Sequence, residues 1–279
     1  MFRYNNLISL YRAIVITMEK MLLSNLHNTK PPLVIGHRGV AGYAPENTIA
    51  SIKKAYELKI RWVELDVKLS RDGIPILFHD NRLERTTNGC GEIAHQDLLN
   101  LQHLDAGSWF KPEYKHTTIP TLRYALSALK FYKIGANLEL KPSPGEESKT
   151  GTIVGKILKK AWPSELPSPI ISSFSPLALQ AYAAEAPSAQ NALLNLAVPR
   201  NWRMQLDRLN IRALHCQSQR LRQNRAKDIL NNGYILRCFT VNRADRAMQL
   251  LNWGVHGIIS DYPDRITKRL SKNYIDAPS

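Results

Sequence analysis

Short apolar runs alternate with helical patterns along almost the whole middle of this chain, and that alternation constrains its fold more than any other feature. Leu33-Val34-Ile35-Gly36 follows Pro31-Pro32 and has the length and apolarity of a buried strand. Pro45-Glu46-Asn47-Thr48 then opens a segment with Ile49, Ile52, Ala55, Tyr56 and Leu58 at helical spacing, Pro and Glu being favoured in a first helical turn. Further strand candidates are Trp62–Val67, Ile74–Phe78, Ala136–Leu140, Ile170–Ser173, Leu193–Leu196, Leu236–Val241 and Gly257–Ile259. Helical patterns lie between most of them, as at Leu122–Phe131, Gly151–Trp162, Pro176–Ala184 and Arg243–Trp253. Strands alternating with helices predict an α/β fold with a mostly parallel sheet. Eight or nine strands in 279 residues predict a sheet closed into a barrel, since single-domain barrels of this kind run near ~250 residues.

Residues 81–119 break the rhythm, being polar and turn-rich with one brief helical stretch, and read as an insertion over one end of the barrel. The barrel domain is expected over 31–270, preceded by an extension over 1–30 and followed by a solvated tail over 271–279. Leu7 to Leu23 is apolar but broken by Arg12, Glu19 and Lys20, with no small-x-small cleavage site after it. It is too short and too charged to span a bilayer, which takes ~20 mainly apolar residues. It reads as a dispensable extension, or as start-site choice with Met18 and Met21 as alternatives, in preference to a membrane-surface anchor.

Composition enters where it excludes classes. With 44% hydrophobic and 22% charged residues the chain can bury a full core, which rules out wholesale disorder. The formal net charge of +15 points to anionic partners: a phosphate-bearing substrate, nucleic acid or an anionic membrane surface. Cys90, Cys216 and Cys238 are far apart without zinc-site spacing, and read as incidental thiols in a reducing, cytoplasmic setting.

Glu64 and Asp66 sit two apart in a strand, so both carboxylates share one face. Either that face is solvated, or the two desolvated carboxylates need a cation or a raised pKa. Seven residues separate Asp66 from Ile74, too few for a parallel crossover, so a hairpin through Ser70-Arg71-Asp72-Gly73 is expected. A two-residue turn there pairs residue 79 with 64 or with 66, placing His79 opposite a carboxylate. His37 and Arg38 end the first strand between glycines, offering a near-neutral titrating ring and a fork of donors that matches phosphate. Glu139 and Lys141 share a face at the end of another strand. A third carboxylate there either completes an oxygen-rich site for a hard divalent cation or forms an internal pair with the lysine. All these groups fall near strand ends, where barrel enzymes gather their catalytic residues.

In order along the chain stand Gly36-His37-Arg38-Gly39, Pro45-Glu46-Asn47-Thr48, Glu64-x-Asp66-Val67, Asp72-Gly73, His79-Asp80, Arg85-Thr86-Thr87-x-Gly89-x-Gly91, Leu104-Asp105-Ala106-Gly107, Ile119-Pro120-Thr121-Leu122, Glu139-Leu140-Lys141, Ser172-Ser173-Phe174, Thr240-Val241-Asn242 and Asp261-Tyr262-Pro263. In these the chain resembles the glycerophosphodiester phosphodiesterase family from about residue 33 to residue 264. The resemblance implies a TIM-like (β/α)8 barrel with a small insertion after the second histidine. It implies hydrolysis of glycerophosphodiesters to sn-glycerol 3-phosphate and an alcohol, with one divalent cation, Mg2+ or Ca2+. Carried over by residue, Glu64, Asp66 and Glu139 match the metal carboxylates, His37 and His79 the general acid/base pair, and Arg38 and Lys141 the groups that steady phosphate charge. The resemblance also suggests the glycerol 2-hydroxyl as nucleophile. Departures are Phe239 where Trp is usual, His256, Ser260 and Arg123-Tyr124, which bear on specificity more than on chemistry.

Two rival readings follow from other residues. Trp109, Phe110 and Tyr114 in the insertion offer an apolar mouth suited to lysophospholipids. Seven arginines over residues 200–225 face one acid, Asp207, as in a binder of nucleic acid or acidic surfaces. Only Trp202 supplies an aromatic there and no nucleic-acid motif accompanies it, so no specific nucleic acid is expected as partner.

Overall fold

The computed structural model describes residues 31–187 and 190–275. The expectations for residues 1–30 lie outside the described residues. Most barrel strands are short and largely buried, and all but β2, which runs into a hairpin, are followed directly by helical structure.

β1 (Val34–Gly36) leads through a tight loop to α1 (Ile49–Glu57). Thr48 caps α1 by accepting from the Ser51 amide, while the Ser51 hydroxyl accepts from the Thr48 amide. β2 (Trp62–Leu69) follows, then β3 (Pro75–Leu77), α2 (Leu98–Gln102), α3 (Leu122–Tyr132) and β4 (Gly135–Leu140). The second half runs α4 (Glu147–Ala161), β5 (Ile170–Ser173), α5 (Pro176–Glu185), β6 (Gln190–Asn195), α6 (Trp202–Arg208), β7 (Ala213–Gln217), α7 (Gln223–Asn231), β8 (Ile235–Phe239), α8 (Ala244–Asn252), β9 (Gly257–Ser260) and α9 (Pro263–Ile275).

Eight strands, all but β3, are parallel and close on themselves through β1–β2 and β1–β9 pairing, so the fold is a TIM barrel. Val63, Leu65 and Val67 face outward into the large cluster formed with the helices. The alternate residues face inward, where Ile35, Trp62, Ile170, Ala192, Ala213 and Ile259 fill the lower interior. That period of two leaves Glu64 and Asp66 inside the barrel, above Trp62.

Three features depart from the sequence reading. The strand candidate at Ile74–Phe78 is not a barrel strand: β3 pairs antiparallel with the end of β2 beyond the rim. The eighth barrel strand is β7, whose short apolar signal is broken by His215 and lies within the arginine-rich stretch. The hairpin register is neither of the two expected, since Val67 pairs with Leu77 and Leu69 with Pro75, and Ser70 and Ile74 close a three-residue loop. Gly73 at φ +77° and the Ser70 hydroxyl, which donates to Asp72, make that loop. The ladder stops at Phe78, whose amide donates to the Asp66 carbonyl. His79 therefore lies past the ladder, opposite neither carboxylate.

Residues 81–119 hold helical turns at Ile93–His95 and Pro112–Tyr114 besides α2. Leu83, Ile93, Leu101, Ala106 and Ile119 pack with Ile76 and Phe78 into a separate apolar cluster. α9 continues past Ser271 to Ile275, where a tail was expected.

Candidate active site

The loop after β1 is built to turn a backbone amide toward the barrel interior. Arg38 takes φ +50°, a left-handed conformation that costs a non-glycine residue roughly 1–2 kcal/mol. In that conformation its amide donates to Glu64 Oε2 at 3.0 Å, and its carbonyl accepts from the Ser51 hydroxyl. Gly39 at φ +87° lies so close to Ser51 that a Cβ there would collide with it, so the loop is pinned to α1. Backbone strain held this way is characteristic of functional sites.

Glu64, Asp66 and Glu139 meet inside the barrel rim, with one oxygen of each within 4.8 Å of the others. All three are buried, and β2 and β4 bring them level because Asp66 and Glu139 are register partners. Burial, then the charges of Asp66 and Glu139, push the Glu64 carboxyl well above its ordinary range. Burial and Asp66 likewise raise Glu139, against the pull of Lys141. Burial acts on Asp66 too, but Arg38, Lys141 and His79 outweigh it and hold that carboxyl below its ordinary value. Asn47, itself at φ +56°, donates to Asp66 Oδ2 at 2.8 Å and accepts from the Asp66 amide.

Glu64 Oε1 is buried with no hydrogen-bond partner. An orphaned carboxylate oxygen within a cluster of three oxygen-donor side chains fits a hard divalent cation, which would pair the repelling charges. The Glu139–Lys141 pair is also present, with Nζ 2.9 Å from Oε1, so the ion pair and the carboxylate cluster coexist. Lys141 Nζ stands 3.9 Å from Asp66 Oδ1 and 5.8 Å from the Phe174 ring centre.

Each histidine is held by an aspartate. His37 Nδ1 lies 2.6 Å from Asp261 Oδ1, and its Nε2 faces Glu64 Oε2 at 3.8 Å. Asn242 donates to the other Asp261 oxygen at 2.6 Å, and its own oxygen accepts from the Asp261 amide. Asp261 is held below the ordinary carboxylate range: burial opposes this, and His37 and Asn242 overcome it. An ionised Asp261 accepts, which places the proton on His37 Nδ1 and leaves Nε2 as the nitrogen that faces the carboxylates. His79 Nδ1 lies 2.5 Å from Asp80 Oδ1. Burial, aided by the charges of Arg38 and Lys141, lowers the His79 pKa despite nearby Asp66.

A chain of ion pairs joins these groups to the insertion. Arg38 Nη1 donates to Glu46 Oε1 at 2.6 Å, and its Nε is 3.3 Å from Asp66 Oδ2. Arg85 donates to both Glu46 and Asp80, so the residue after the second histidine and the loop before α1 share one guanidinium. Hydrogen bonds to Arg85 and His79 hold Asp80 well below its ordinary value, against burial. Beside them a cavity of about 540 Å3 is lined by Lys68, His79, Asn81, Glu139, Lys141 and Phe174. Its aromatic wall is Phe174, which meets Phe239 edge to face. Phe110 meets both Trp109 and Tyr114 edge to face, and the Tyr114 hydroxyl donates to the Tyr43 carbonyl.

All seven residues singled out in the sequence, His37, Arg38, Glu64, Asp66, His79, Glu139 and Lys141, are therefore gathered at the C-terminal rim. Asp261, Asn242, Asp80, Arg85, Glu46, Asn47 and Lys68 were assigned no role. Most stand in the quoted motifs, but their partners are brought up by closure of the barrel.

Residues 37–265 match the sequence profile of the Glycerophosphoryl diester phosphodiesterase family. A phosphodiesterase from Oleispira antarctica, solved in complex with the product sn-glycerol-3-phosphate, superposes with a TM-score of 0.84 at 41% identity, over 86% of this chain and 97% of its own. A Bacillus subtilis (strain 168) protein, YhdW, is 36% identical over 243 residues, covering 84% of this chain and 96% of its own. A second protein of that strain, a glycerophosphodiester phosphodiesterase, is 32% identical over 270 residues, covering 90% of each. By the sequence match and by the barrel that carries it, this chain belongs to the glycerophosphoryl diester phosphodiesterase family.

Proposed function

We propose that this protein hydrolyses glycerophosphodiesters to sn-glycerol 3-phosphate and an alcohol, with His37 and His79 exchanging the protons and Glu64, Asp66 and Glu139 holding one divalent cation. The observation that carries the reading is the convergence of two aspartate-held imidazoles on three clustered carboxylates. A relative 41% identical, solved with sn-glycerol-3-phosphate bound, supports the substrate class.

A phosphodiester is anionic, so attack at phosphorus needs charge neutralised there and protons moved at two oxygens. A cation held by Glu64, Asp66 and Glu139, Mg2+ or Ca2+, would supply Lewis-acid stabilisation of phosphoryl charge. Arg38 and Lys141 add fixed positive charge at the same rim. One imidazole takes the proton of the nucleophile and the other gives one to the leaving alcohol, each transfer contributing typically ~10²–10⁴-fold. The nucleophile in this reading is the glycerol 2-hydroxyl, forming a cyclic phosphate that water opens. A cytoplasmic setting belongs to the same reading, since Cys90, Cys216 and Cys238 are far apart in sequence and form no disulfide framework by their spacing.

Release of glycerol 3-phosphate from glycerophosphocholine and glycerophosphoethanolamine tests the reading. Release should vanish with chelator, return with Mg2+ or Ca2+, and be lost in His37→Ala and Glu64→Gln. A substrate without the 2-hydroxyl should not be cleaved, and its cleavage at an equal rate would discard the cyclic route. Folded wild type that releases nothing with either cation would overturn the activity, and release from lysophospholipids would then identify the rival substrate class.

A further inference from the structure

The barrel has a second cavity at its other end, away from the carboxylates. It measures about 1470 Å3 and lies between the starts of β6 to β9 and residues of α5, α8 and α9. Its walls are largely apolar, with Leu209, Ile211, Ile235, Leu251, Val255 and Leu270 among them. Two arginines line it: Arg212, exposed, just before β7, and Arg237 on β8, which points in from the barrel interior and is only 4% exposed. Gly257 on the adjacent β9 makes room for this arginine, since a Cβ there would stand 3.3 Å from its methylene stem.

No carboxylate among the described residues pairs with Arg237, and its Nε is buried without a hydrogen-bond partner. Arg237 Nη1 lies 3.4 Å from His215 Nε2, and among the described residues the Nδ1 of that histidine is buried without a partner. Burial alone lowers the guanidinium to about 10. An uncompensated buried cation is costly, and apolar replacements at such positions are often neutral or stabilising. The residues of the catalytic rim make no use of it.

We propose that this cavity binds an amphiphilic anion: an aliphatic chain ending in a carboxylate or phosphate, with its head on Arg237 and its chain along the apolar walls. The planar fork of donors matches either oxyanion, and the head would satisfy the unpartnered Nε. The space greatly exceeds what a bare ion fills, and its apolar lining matches a hydrocarbon chain. The net charge of +15 favours the approach of anions. The inference is independent of the proposed catalytic roles.

The test is calorimetric titration of the full-length protein, below micellar concentrations, with octanoate, decanoate and decyl phosphate, and with decanol and decyltrimethylammonium as controls. Saturable one-to-one binding of the anions is expected, decanoate binding about 15-fold tighter than octanoate for its two extra methylenes. Arg237→Met should weaken decanoate at least about tenfold while phosphodiesterase activity shows that the barrel is intact. Arg237→Lys keeps the charge without the fork and should weaken binding several-fold, which reads the same site should the methionine variant fail to fold. Tighter binding of decyl phosphate would assign the head to a phosphate, and tighter binding of decanoate to a fatty acid. No saturable binding of the anions, equal binding of the cationic or neutral amphiphile, or unchanged affinity in both arginine variants would overturn the proposal.

Discussion

His37 is fixed from both sides of its ring, by Asp261 at Nδ1 and by the approach of Glu64 to Nε2. An ionised Asp261 favours the tautomer with the proton on Nδ1, and in the proposed mechanism it orients the His37 ring. Replacing Asp261 with Asn keeps the shape but loses the charge. Asp261→Asn should lower kcat about 10–100-fold with KM nearly unchanged, and should shift the pH profile of kcat. A wild-type rate and profile in this variant would show that the pairing orients nothing. Glu64, Asp66 and Glu139 were legible as a group because strand periodicity puts them on inward faces, whereas His79 was legible from local motif alone, its expected pairing opposite a carboxylate having failed. Asp261 was not, because its partner is 224 positions away and no local pattern relates the two.

At the scale of elements, α1 shows how strongly a local signal can set a boundary. Thr48 accepts from the Ser51 amide and donates to the Pro45 carbonyl at 2.6 Å, so one hydroxyl ends the catalytic loop and starts the helix. Thr48→Ala should cost about 1 kcal/mol, the usual value of an N-cap. For a domain of this size that corresponds to a fall in Tm of about 2–4 °C, readable by thermal unfolding. An unchanged Tm would mean that loop packing, and not the cap, holds the helix start. The β2–β3 hairpin shows the limit of such signals. Its existence follows from a seven-residue gap, but its register was decided by a three-residue loop that the Ser70 hydroxyl and Gly73 stabilise. β7 was hidden for another reason: an inward His215 interrupts its apolar run, which only a buried polar interior layer makes sense of.

At the scale of the whole molecule, the carboxylate cluster links stability to pH and, in the proposed reading, to a bound cation. Glu64 and Glu139 have folded pKa values above their unfolded ones, so without metal the folded state binds more protons than the unfolded state. Their contribution is therefore full below the ordinary glutamate range and is lost as pH rises through the raised folded values. Asp66 has the opposite sign, contributing above its ordinary range and losing that contribution in acid. In chelator, Glu64→Gln should thus gain stability relative to wild type as pH rises above the ordinary glutamate range. Cation at one hundred times its Kd should add about 2.7 kcal/mol, or about 5–10 °C in Tm. That gain should shrink in acid, where protons compete for the ligands, and disappear in Glu64→Gln. Thermal scans at two pH values with chelator, Mg2+ and Ca2+ measure all of this, and identical Tm values throughout would exclude a cation at these carboxylates.

The sequence alone determined the fold class and the residue types of the site, because barrel strands and helices are periodic and each period is local. It also set the composition of the rim, since His37, Glu64, Asp66, Glu139 and Lys141 stand at or near strand ends. Tertiary structure decided which groups touch. Closure of the barrel brought Asp261 to His37 and left Arg237 facing a cavity with no carboxylate paired to it among the described residues. Such pairings depend on register and curvature around the whole sheet, and those are fixed by packing across the core, which no stretch of neighbouring residues encodes.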